Sequence, residues 1–187
     1  MEDLYLKLIL EGDVSKYSYF IDRYKGMAFS IAFRIVGNKE DAEEIVQDAF
    51  LKAFKSLGKF RKGSKFSTWL YRIVVNTSLS RVRTKTPKWN TLDEDDAGDI
   101  PAESVHDAYH NLDSSEQKAF IQSALDELSV EDRLLLTLYY LNENSIEEIS
   151  KITGVSEDNL KMRLHRARKR IYFVMNKKLK SEIQSLL

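Results

Sequence analysis

In the stretch NKEDAEEIVQDAFLKAFKSL, residues 38–57, apolar side chains recur at Ala42, Ile45, Val46, Ala49, Phe50, Ala53, Phe54 and Leu57 without a miss. Steps of three and four return side chains to one face of an α-helix, whose turn takes 3.6 residues. A strand would need alternation at every second residue, so this segment has one option. A helix with one apolar stripe must bury it against something. The rest of the chain offers other helices: no strand pattern and no internal repeat is present. Asn38 is placed to cap the stripe-bearing helix, acids fill its first turn, and Gly58 ends it.

The same reading extends in both directions. SKYSYFIDRYKGMAFSIAFRIVGN predicts a long helix from Ser15 to about Val36, closed by Gly37. FSTWLYRIVVNTSLSRVRTK predicts another, stopped before Pro87. Residues 86–115 are acidic, turn-forming and hold both prolines of the chain, the composition of a linker. A second helical set follows, the first helix running from about Glu116 to Leu128. Ser129 caps VEDRLLLTLYYLNEN, and Ser145 with Glu148 forms a capping box for SIEEISKIT. Gly154 turns the chain into a last helix capped by Ser156. The expected fold is all-α: two small helical domains, residues 1–87 and 116–187, joined by a linker over 88–115.

Composition excludes several functions. The 187 residues contain no cysteine, so disulfides, thiolate metal sites and thiol nucleophiles are ruled out. The apolar N-terminal run begins with acids and lacks a cleavage pattern, which argues against a signal peptide. No apolar stretch reaches the ~20 residues a membrane span needs. A cytoplasmic protein is expected. His106 and His110, four apart with Asp107 and Asp113 nearby, imitate a metal site but carry no zinc signature. No catalytic residue, metal or cofactor is expected, and no nucleophile–base pair or phosphate-binding glycine loop is present. The protein is not expected to be an enzyme.

Formal net charge is zero, but its distribution is blocked. Residues 59–88 hold nine Lys or Arg and no acid, and residues 93–116 hold nine Asp or Glu and no Lys or Arg. Residues 154–180 hold nine basic residues against two acids, Glu157 and Asp158. Two cationic blocks thus flank an anionic one, and fields of this kind attract polyanions locally.

The C-terminal block lies on a motif. A short helix, a turn with Gly154 and a basic helix make a helix-turn-helix, whose second helix fits a DNA major groove. Ser150 is the small residue the crossing needs, and Ile149, Val155, Leu160 and Leu164 would lock it. Lys161, Arg163, His165, Arg166, Arg168 and Lys169 are the expected outward groups. Those in the first two turns would meet bases, and later ones phosphates. Glu157 and Asp158 suit the positive end of a helix dipole, with Lys161 four residues from Glu157 as an ion-pair partner. Asp158 alternatively reads a cytosine amino group.

The first block, KFRKGSKFSTWLYRIVVNTSLSRVRTK, mixes cations with aromatics, as single-strand-binding proteins do. The loop cations Arg61, Lys62 and Lys65 are too costly to bury. Trp69 reads as a core residue in preference to a base-stacking one. On these residues alone a one-component regulator, binding duplex DNA as a dimer on a palindrome, is an alternative class.

DAEEIVQDAFLKAF, FRKGSKFSTWLYRIVVNTSLSRVR and LDELSVEDRLLLTLYYLNENSIEEISKITGVSEDNLKMRLHRARKRI, in this order, resemble an extracytoplasmic-function (ECF) bacterial RNA polymerase sigma factor. The likeness runs from about residue 15 to 172, apart from the linker. It implies a region 2-like N-terminal domain that docks on core RNA polymerase and opens the −10 element. It also implies a region 4-like C-terminal domain that reads the −35 element as duplex. The implied polymerase-binding residues are Asp41, Glu43, Glu44, Gln47 and Asp48. Those implied for the −10 element are Arg61, Lys62, Ser64, Lys65, Trp69, Arg72 and Asn76, around a pocket for a flipped base. Those for the −35 element are Asp158, Lys161, Met162, Arg163, His165, Arg166 and Arg168. The resemblance further implies an anti-sigma factor as a partner, membrane-bound in many relatives, and a protein that is monomeric when free. The chain departs from the usual pattern at Asp158 and Asn159 (Gly and Thr), Met162 (Ser) and Ser129 (Pro).

Overall fold

A computed structural model describes residues 1–60, 63–82 and 115–185. Every regular element among them is helical. The helices are α1 (Glu2–Leu10), α2 (Tyr17–Val36), α3 (Lys39–Ser56), α4 (Phe66–Arg81), α5 (Ser115–Asp126), α6 (Val130–Leu136), α7 (Ile146–Thr153) and α8 (Glu157–Ser185). They divide into two compact units, one built on α1–α4 and the other on α5–α8, with Lys151–Gly154 grouping with the first. The expected linker lies outside the described residues apart from Ser115, which begins α5.

In the first unit α2, α3 and α4 pack on one another. Ala42, Ile45, Ala49, Phe50 and Ala53 of α3 are buried, as the stripe requires, together with Phe20, Ala28 and Ile31 of α2 and Leu70, Val74 and Val75 of α4. The alanines let α3 approach its neighbours closely, while the rings of Phe20 and Phe66, 4.4 Å between centroids, fill the centre. The Tyr17 hydroxyl donates to the Phe50 carbonyl at 2.8 Å, joining the start of α2 to α3. Two stripe members are less covered: Val46 is half-buried and Phe54 is 37% exposed.

The helix ends follow their signals with small shifts. Asn38 accepts from the Asp41 amide at 2.8 Å, and Gly37 closes α2 with φ +80°. The helix expected from Ser15 starts instead with a 3-10 turn, Val14–Lys16, before α2 proper. Gly58 sits within a 3-10 turn, Leu57–Lys59, which tightens the end of α3 and keeps Leu57 buried.

In the second unit α8 packs on α5 and α6. Its buried stripe is Leu160, Leu164, Ala167 and Ile171. Ser129 accepts from the Asp132 amide at 3.3 Å, so the expected cap forms. The helix it starts is shorter than expected: α6 gives way to a π-turn, Thr137–Leu141, before the chain turns at Glu143 with φ +51°. The capping box forms in both directions, Ser145 N–H to Glu148 Oε2 at 2.9 Å and Glu148 N–H to Ser145 Oγ at 3.2 Å.

Candidate nucleic-acid interface

On α8 the buried stripe fixes what faces out. Asp158, Met162, His165, Arg166 and Lys169 fall on the opposite side at helical spacing, with Lys161 at its edge. Asp158, Lys161 and His165 are exposed, Met162 is 46% exposed, and Arg166 and Lys169 are half-buried. The turn before the helix is held by the Ser150 hydroxyl, which donates to the Val155 carbonyl at 2.6 Å. Ser150 is therefore small for its reach as well as for its volume. Gly154 takes φ +79°, a conformation that costs other residues strain.

Two expected outward residues are turned inward. Arg163 donates through Nε to Asp132 Oδ1 at 2.7 Å, and its side chain is only 17% exposed. Arg168 donates through Nε to the Tyr140 hydroxyl at 2.6 Å, with its guanidinium 5.3 Å from the Tyr139 ring centroid. Both lie on the flanks of the helix, where an acid or a ring of its own unit is nearer than solvent. The ion pair at the helix start also differs from expectation. Lys161 pairs with Asp158 at 3.5 Å, three residues away, rather than with Glu157.

In the first unit, Lys65, Trp69, Arg72 and Asn76 share one face of α4 and its N-cap. Lys65, Arg72 and Asn76 are exposed, and Ser64 and Trp69 are half-buried. Trp69 stands between core and solvent, its ring 5.2 Å from Phe60 and 5.6 Å from Phe66. Phe66 is buried behind it. The result is an aromatic shelf beside cations, which suits base stacking with the charge following the backbone. Arg61 and Lys62 lie outside the described residues. So do His106, Asp107, His110 and Asp113. Among the described residues no group of three or more potential metal ligands occurs.

The acidic face of α3 is divided. Arg81, at the end of α4, donates to Asp41 Oδ1 at 3.0 Å and to both carboxylate oxygens of Glu44. The Asn38 amide and this guanidinium hold the Asp41 carboxyl below its ordinary range. Glu43 pairs with Lys39 at 3.7 Å, and Asp48 is exposed. Gln47 does something else. It lines an apolar groove of about 540 Å³ with Val14, Tyr17, Ile21, Val46, Phe50, Leu51 and Phe54. The sequence carried a signal for this groove: the stripe on α3 includes Val46 and Phe54, which α2 and α4 leave at the rim.

Sequence reasoning also passed over Asp132. Its carboxylate accepts from Arg163 and, at 2.8 Å through Oδ2, from Arg170 Nη1, while being 1% exposed. The available signal was a lone acid on the apolar face of Leu128, Leu135 and Tyr139. Among the described residues no helix is long and apolar enough to cross a membrane.

Comparison with known proteins identifies the family. Residues 20–87 match the model of Sigma-70 region 2, and residues 121–171 match that of Sigma-70 region 4. The ECF RNA polymerase sigma factor SigW of Bacillus subtilis strain 168 is 34% identical over 173 residues, 87% of this chain and 90% of that protein. RNA polymerase sigma factor SigV of the same strain is 31% identical over 149 residues, 80% of this chain and 84% of SigV. Among solved structures, CnrH in complex with the cytosolic domain of CnrY shares the fold at a TM-score of 0.66 and 22% identity, covering 93% of this chain and 96% of that one. The sigma factor RpoE of Bartonella quintana, solved with the anti-sigma factor NepR, does so at 0.64 and 23%, covering 86% and 96%. The chain belongs to the ECF group of the sigma-70 family of RNA polymerase sigma factors.

Proposed function

We propose that the unit built on α1–α4 docks on core RNA polymerase and opens the −10 element, and that the α5–α8 unit reads the −35 element in duplex form. The observation that carries this is the face Lys65–Trp69–Arg72–Asn76 with its aromatic shelf. A duplex-only regulator has no use for a ring set beside cations at a loop. A protein that must hold an extruded base does, because unstacking costs a few kcal/mol that a pocket has to offset. Ser64, Lys65, Trp69, Arg72 and Asn76 are assigned to that strand, together with Arg61 and Lys62. Asp158, Lys161, Met162, His165 and Arg166 are assigned to the −35 duplex.

For the polymerase, Glu43 and Gln47 on the groove side of α3 and Asp48 on the face of Asp41 and Glu44 are the assigned contacts, and Asp41 and Glu44 act through Arg81. An anti-sigma factor is the assigned regulator, since the fold relatives CnrH and RpoE are solved with CnrY and NepR respectively. The protein works without catalysis of its own.

The test adds the purified protein to core polymerase with a pool of promoter fragments and maps the transcripts. New start sites should appear only with the protein present. No redirection of initiation, together with no polymerase binding, would sink the assignment.

A further inference from the structure

On α8, Arg163 and Arg170 are seven residues apart, two turns along the same flank. Both reach one carboxylate on α6, that of Asp132, at 2.7 and 2.8 Å. The Asp132 side chain is 1% exposed and held by both guanidiniums, while its backbone amide is capped by Ser129. Glu131 stands 3.9 Å from Arg163 on the outer side. A single buried acid thus spans two turns of the recognition helix and fixes both its rotation and its position along its axis. It also holds two of the most strongly phosphate-seeking side chains on that helix away from DNA.

We propose that Asp132 is a positioning residue for −35 recognition. By keeping Arg163 and Arg170 from the phosphates, it leaves discrimination to the ridge Asp158, Met162 and His165, with Arg166 beyond them as a phosphate contact. This rests on the assignment of α8 to duplex DNA. Freed arginines would add contacts that carry no sequence information, so affinity for any duplex would rise as preference fell.

The test measures binding of the full chain, alone and with core polymerase, to random duplexes and to duplexes selected from the same pool. Salt is varied throughout. Asp132→Asn, nearly isosteric, should steepen the slope of log K against log salt by about 1 to 2, because each new phosphate contact adds about 0.9. Preference for selected over random duplex should drop by about tenfold, the worth of one mismatched base pair. Arg170→Gln should leave the slope unchanged in the native background, whereas Arg166→Gln should lower it by about 1. In the Asp132→Asn background, Arg170→Gln should now lower it too. A merely structural role would weaken binding in Asp132→Asn without steepening the slope. An unchanged slope in Asp132→Asn, or an Arg170→Gln slope equal to that of Arg166→Gln, would overturn the proposal. Polymerase co-elution is scored separately: its failure counts against the function assignment, while the slopes on chain and duplex judge Asp132.

Discussion

Arg81 ends α4 with its guanidinium on Asp41, forty residues earlier, donating through Nε at 3.2 Å and Nη2 at 3.0 Å. It joins the helix assigned to the −10 strand to the helix assigned to polymerase. Asp41 and Glu44 are therefore already engaged by their own domain, whereas Gln47 and Asp48 are not held by Arg81. Replacing Gln47 or Asp48 by Ala should weaken polymerase binding more than Asp41→Ala does, as read by co-elution or a binding titration. Equal losses would place all of them in contact with polymerase.

The shelf separates stability from function. Phe66 is 2% exposed and packs on Phe20, so Phe66→Ala should cost about 3–5 kcal/mol in denaturant unfolding. Trp69 is half-buried. Trp69→Ala should cost less stability than Phe66→Ala but markedly reduce promoter opening, measured by the chemical reactivity of unpaired thymines. A stability loss as large as that of Phe66→Ala would make Trp69 a core residue first.

Asp158 stands at the leading end of the recognition helix with a 93% exposed side chain. An exposed i, i+3 pair with Lys161 contributes little, and a carboxylate near the N-terminus adds about 0.3–1 kcal/mol. Asp158→Gly should therefore lower the melting temperature by only a few degrees, part of it from the glycine itself. It should alter which −35 sequences are selected from a duplex pool. A uniform gain in affinity across sequences would instead assign Asp158 to the helix end alone.

Acid should destabilise the fold in a defined window. Asp13 is held low by the Ser15 hydroxyl, Asp41 by Asn38 and Arg81, and Glu127 by Lys178 at 2.7 Å. Each binds a proton less readily folded than unfolded, so its contribution is complete above the ordinary carboxylate pKa of about 4. It is lost as pH falls through the lowered folded value. Thermal melts should be flat from pH 7 to about 5 and fall below about 4. Arg81→Gln should shallow that fall by removing one of Asp41's partners.

Gly154 gives a backbone prediction. Nothing lies within 4 Å of a Cβ built there, so space is not the constraint. The positive φ is. Gly154→Ala should cost about 1–2 kcal/mol, and Gly154→Asn less, since Asn tolerates this region. Equal costs would mean that the turn relaxes.

Helix existence and most helix ends were legible because they depend on near neighbours. Asn38, Ser129 and Ser145 each bond within three residues of themselves, and the α3 stripe reads directly as the buried face. What escaped depends on distance along the chain. Periodicity put Arg163 on a flank but could not say that an acid 31 residues earlier would draw it inward. Likewise periodicity could not tie Asp41 and Glu44 to Arg81 at the far end of α4. The π-turn at Thr137–Leu141 has no sequence mark of its own, since Leu and Tyr suit an ordinary helix equally well.

Helix α8 runs unbroken from Glu157 to Ser185, 29 residues without a glycine or proline. At 1.5 Å per residue it is a rod of roughly 44 Å, and rods of this kind bend only gently. Its first turns are the ones assigned to bases, and its far half carries Leu179, 51% exposed. Tilting the far end by a few degrees sweeps the near end through a proportionate arc. Anything that grips the tail therefore sets the aim of the tip.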